Sequence, residues 1–88
     1  MKLEIISMQR TSFLAPAQWE CKLKDGRMLY IRERHDNLTI SISPEETDDI
    51  FDAVRGECLL SVKATIMEIN DVLEIAKENG LILKMAHP

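Results

Sequence analysis

Residues 18–43 read QWECKLKDGRMLYIRERHDNLTISIS, and the register of this stretch decides the fold. Trp19, Cys21 and Leu23 alternate with Glu20 and Lys22, the period of a strand with one wet face. Lys24-Asp25-Gly26 then breaks the pattern. A three-residue loop ending in glycine, a type I turn with a glycine bulge, pairs Cys21 with Leu29 and Trp19 with Ile31. The two-residue alternative, Asp25-Gly26 alone, sets Leu29 and Ile31 opposite Lys22 and Glu20. A slip of one residue moves the whole apolar set to the wrong face, so the first register is chosen.

A second turn falls at Arg34-His35-Asp36-Asn37, where a loop of two or four residues keeps the parity right. The four-residue version pairs Ile31 with Ile40 and Leu29 with Ile42, and it points Leu38, Ile40 and Ile42 to the apolar face. The expectation is a three-stranded antiparallel meander over about residues 18–42, covered on one side only.

Upstream, Leu3, Ile5, Ile6 and Met8 suggest an N-terminal strand, and residues 9–17 read as a loop. Downstream, Ser43-Pro44-Glu45-Glu46 carries a cap, a proline suited to the first helical position and a capping-box glutamate. This predicts a helix over about 44–55, with an apolar stripe of Ile50, Phe51 and Val54 and a stop at Gly56. Residues 58–65 read as a short strand or as part of a helix. A second helix is expected over about 66–79, opened by a capping box at Thr65–Glu68 or, later, at Asn70, and striped by Ile69, Val72, Leu73 and Ala76. Leu81–Met85 reads as a short C-terminal strand. The expected fold is α+β: an antiparallel sheet built on the meander, with both helices on one face.

The chain has 88 residues, which is the size of one domain with a modest core. Hydrophobic residues make up 45% and charged residues 30%, an ordinary globular mix that argues against disorder. No apolar run is long enough to cross a membrane as a helix. MKLEIISMQRTSF reads as a strand and not as an export signal, which points to the cytoplasm. Cys21 and Cys58, with no CxxC motif, fit two reduced thiols there.

Two charged groups stand out. Lys22, Tyr30, Arg32 and Arg34 share the polar face of the meander. An aromatic flanked by arginines can stack a base and hold phosphate, but the net charge of −4 argues against a nucleic-acid reader. The ordinary alternative is a solvated sheet face. Glu45, Glu46, Asp48, Asp49 and Asp52 form an acidic patch. Carboxylates of this kind suit a helix N-terminus, and their spacing is not that of a calcium loop. Cys21, Cys58, His35 and His87 lack the paired spacing of a zinc site. No glycine-rich phosphate loop or nucleophile elbow is present, so no catalytic residue, metal or cofactor is assigned.

The run QWECKLKDGRMLYIRERH resembles a pattern in short uncharacterised bacterial and phage proteins, where a QWE-type strand leads through a DGR turn to a YIR-type strand. The resemblance covers about a quarter of the chain. It implies a prokaryotic or phage origin and no activity. Asp36-Asn37 stand where such proteins carry a glycine after the histidine. The reading that follows is a small non-catalytic interaction domain whose partner is another protein or a second copy. A nucleic-acid-associated protein using Tyr30, Arg32 and Arg34 is the alternative.

Overall fold

The computed structural model describes residues 1–12, 17–66 and 68–86. Strands β1 (Lys2–Ser12), β2 (Ala17–Leu23), β3 (Met28–Arg34) and β4 (Asn37–Ile42) are followed by helix α1 (Ile50–Val54) and strand β5 (Glu57–Lys63). Helix α2 (Ile69–Glu78) and strand β6 (Ile82–Met85) complete the chain. They form one six-stranded sheet in the order β5-β4-β3-β2-β1-β6.

The meander has the register that the apolar pattern demands. Cys21 faces Leu29, Trp19 faces Ile31, Ile31 faces Ile40 and Leu29 faces Ile42. The first turn is closed by Leu23 N–H to Arg27 O, with Gly26 at φ +92°. The second is the shorter of the two loops considered. Arg34 pairs with Asn37, and His35 and Asp36 both hold positive φ, the geometry of a two-residue type I′ hairpin turn. Asp36 is tied down on both sides, since its N–H bonds Glu33 Oε1 and its carbonyl accepts Ala64 N–H.

β1 is longer than expected and takes in residues 9–12, while 13–16 of the expected loop lie outside the described residues. Its run of Leu3, Ile5, Ile6 and Met8 obeys neither strand parity alone, and a bulge explains why. Ile5 faces Leu23 but Ser7 faces Lys22, so Ile6 is the extra residue and stands exposed. After the bulge, Met8 faces Cys21 and Arg10 faces Trp19. The Arg10 guanidinium lies 5.0 Å from the Trp19 ring centre, which closes that edge of the core.

The core joins Leu3 and Ile5 of β1, the inward residues of β2–β4, Leu60 of β5, Val72 and Ala76 of α2, and Leu81 and Leu83. Each fully buried Leu or Ile contributes roughly 1.5–3 kcal/mol of transfer free energy.

Four expectations are corrected. The sheet is mixed, because β6 runs parallel to β1, with Leu3 beside Leu83; apolar alternation carries no strand direction. The first helix is Ile50–Val54, not 44–55, and Asp49 caps it through Phe51 N–H. Its stripe is not buried: Phe51 and Val54 are exposed, and Ala53 is the buried residue. The second helix begins at Ile69, with Glu68 N–H bonded to the Asp71 carboxylate, because Thr65 is turned to Asp36 instead.

The helices also do not share a face. Val72 and Ala76 of α2 belong to the core, whereas Ala53 of α1 is buried outside it. Lys22, which points away from the core between Cys21 and Leu23, bonds Thr47 O at 2.6 Å and Asp48 at 2.8 Å. The segment leading to α1 therefore crosses to the polar face, and α1 lies there against β3 and β4.

Candidate functional site

The polar face is set by alternation. Each residue that points Leu29, Ile31, Leu38 or Ile40 inward leaves its neighbour facing outward. Across the strands, Glu20 faces Tyr30 and Tyr30 faces Ser41; the next outward row is Gln18, Arg32, Thr39 and Ser61; the last is Arg34, Asn37 and Lys63.

The 43–49 strap covers one end of this face. Ser43 is fully buried, its hydroxyl accepting Met28 N–H and donating to Glu45 O, both at 2.9 Å. Thr47 N–H bonds Gly26 O. Thr47 Oγ1 joins the Asp52 carboxylate and accepts Asp49 N–H. Gly56 returns the chain to the sheet so closely that a Cβ there would fall on the Ile42 carbonyl oxygen.

The other end is open. Arg32, Arg34, His35, Asn37 and Thr39 line a hollow of about 420 Å³. Arg32 Nε is buried there with no hydrogen-bond partner among the described residues. Neither Arg32 nor Arg34 forms an ion pair among the described residues. Arg32 Nε is itself sealed from outside, but Arg32 is half-buried and Arg34 exposed, so an acceptor from outside can approach the hollow at these two side chains.

The four basic-face residues therefore divide. Arg32 and Arg34 meet in the hollow. Lys22 is at the covered end, spent on Thr47 and Asp48. Tyr30 stands between the two ends, half-buried. The acidic patch divides as well. Asp49 is the α1 cap, Asp52 holds Thr47 and lies 3.7 Å from Arg55, and Asp48 pairs with Lys22, which holds its carboxyl below the usual range. Glu45 and Glu46 remain exposed.

The other residues with chemistry lie apart from the hollow. Burial, with a smaller push from Glu20, raises the Cys21 thiol to about 12, so it is not a nucleophile at neutral pH. Cys58 is exposed on β5, its thiol 3.4 Å from Leu60 O. His35 sits at the tip of the β3–β4 turn, and His87 lies outside the described residues. Among the described residues, no three His, Cys, Asp or Glu side chains converge as a metal site would require. Thr39 was expected on the same outer face as the arginines from strand parity, whereas His35 and Asn37 were read only as turn residues. The two-residue version of the second turn, which pairs Arg34 with Asn37, was the signal that could have found Asn37.

No family model, curated protein or solved structure matches this chain.

Proposed function

We propose that this chain is a small non-catalytic interaction domain that binds an acidic protein surface at the open end of its polar face. The observation that carries the reading is that Arg32 and Arg34 line one hollow while neither forms an ion pair among the described residues. Two guanidiniums two residues apart on one strand project side by side, and each can take a carboxylate through two parallel hydrogen bonds. The hollow is lined mainly by hydrogen-bond donors, two of them guanidiniums, which suits recognition of an anionic group. Nucleic acid fits less well, because a molecule of net charge −4 gains little from counterion release.

A fluorescence-anisotropy titration with a labelled poly-glutamate peptide tests this against a labelled random oligonucleotide. Binding of the peptide alone, lost in Arg32→Glu with Arg34→Glu, supports the reading. Preference for the oligonucleotide at about 150 mM salt, where charges are screened beyond about 8 Å, replaces it with the nucleic-acid reading.

A further inference from the structure

The acidic surface that the proposed hollow seeks is present on the molecule itself, at the opposite end of the same face. The strap carries Glu45, Glu46 and Asp48, and next to it Phe51 stands 60% exposed, with Val54 one turn on. An exposed phenyl ring beside carboxylates matches a hollow built from two arginines. The ring stacks on a guanidinium while the carboxylates take its N–H groups. The hollow, about 420 Å³, has room for one aromatic side chain.

We propose that two copies of this chain pair face to face about a two-fold axis, Phe51 and the strap of each seated in the Arg32–Arg34 hollow of the other. The inference rests on the acidic-partner reading and names the partner.

The geometry permits closure. Strap and hollow lie at the two ends of β3, about 20 Å apart at the rise of a β-strand. No copy can reach its own hollow, since its strap is pinned at Gly26 and Lys22. A second copy turned end for end presents strap to hollow and hollow to strap at once. That contact is isologous, so it stops at the dimer and does not propagate. In each copy the strap and α1 lie against one end of the polar face, and in the pair the partner's strap and α1 would cover the other end. The net charge opposes the pairing only weakly. Contacts near 4 Å outweigh repulsion between charges tens of ångströms apart.

Sedimentation equilibrium of the full chain in the micromolar range tests the proposal. The dimer is expected at about 0.01 M salt, where the screening length is about 30 Å, and it should weaken at about 1 M, where the length is about 3 Å. Phe51→Ser, at an exposed site, and Arg32→Glu with Arg34→Glu should each weaken association by about tenfold or more, with far-UV circular dichroism unchanged. Mixing the two variants should restore part of the association, because one intact contact re-forms between the Phe51 of one and the arginines of the other. A wild-type chain that is monomeric in both salts overturns the proposal. So does a dimer indifferent to either variant, or a mixture that regains nothing. If the chain is monomeric and the poly-glutamate peptide still binds at Arg32 and Arg34, self-pairing fails while the acidic-partner reading stands. If neither occurs, both fail.

Discussion

The two ends of the polar face are made of the same strands and treated in opposite ways. At the Met28 end, polar groups are matched internally. Ser43 satisfies Met28 N–H, Lys22 satisfies Thr47 and Asp48, and Gly26 O accepts Thr47 N–H. At the Arg34 end, two arginines face a hollow that among the described residues has no carboxylate in its lining, and one of their nitrogens is buried without a partner among those residues. Pairing stabilises the first end, and lack of pairing leaves the second available. The difference teaches that charge on a sheet face is not informative by itself; what matters is whether the fold has already used it. Lys22 and Arg32 look alike along the sequence, and the strap separates them.

The strongest way to break this contrast is to lift the strap off the covered end. Gly56→Ala places a methyl group on the Ile42 carbonyl oxygen and 2.9 Å from Asp52 O. Both obstacles are backbone atoms, which cannot rotate aside, so the chain must move. The expected loss is about 3 kcal/mol or more, read as a lower midpoint in urea unfolding.

Gly26→Val attacks the same end more gently. The added carbon would meet Glu46 side-chain atoms at 2.6–2.8 Å, but Glu46 is exposed and can swing away. What remains is the φ of +92°, which a β-branched residue adopts only under strain. A loss of about 2 kcal/mol is expected. A thermal melt equal to the wild type removes Gly26 from that role. Ser43→Ala then withdraws the acceptor from Met28 N–H at a fully buried position. About 1 kcal/mol should go, and amide exchange at Met28 and Thr47 should quicken before the rest of the sheet.

These residues also mark how far sequence reasoning reached. The register of β2, β3 and β4 was legible because it is a local problem: one loop length puts Trp19, Cys21, Leu29, Ile31, Ile40 and Ile42 on one side, and the other splits them. The hairpin resemblance drew on the same residues and added no constraint. The strap was not legible. Ser43-Pro44-Glu45-Glu46 has every local mark of a helix start, yet bonds from Thr47 to Gly26 and Lys22, 21 and 25 positions away in sequence, hold the segment in an irregular path and delay the helix to Ile50. Tertiary bonds of that range overrule a cap worth about 1 kcal/mol. The parallel placement of β6 was hidden for a related reason, since Leu83 beside Leu3 would look the same with either direction. Of the candidate site, Arg32 and Arg34 were legible from parity. That Lys22 is consumed and Phe51 exposed was not, because both follow from where the strap runs.

Arg32→Leu should have the smallest effect on stability, and it sharpens the contrast most. At the covered end, removing a polar partner leaves another group stranded and costs energy. At the open end, Arg32 itself is the stranded group. Replacing it removes a buried unsatisfied nitrogen and keeps much of the apolar stem at a position that pairs across the strands with Gln18 and Thr39. The melting midpoint should stay level or rise, by up to about 1 kcal/mol of stability, while binding of the poly-glutamate peptide falls. A clear loss of stability would mean that Arg32 is held by contacts within its own fold, and the open end would then be as self-sufficient as the other. A gain in stability with a loss of binding is the pattern of a residue retained for a partner at some cost to the isolated fold.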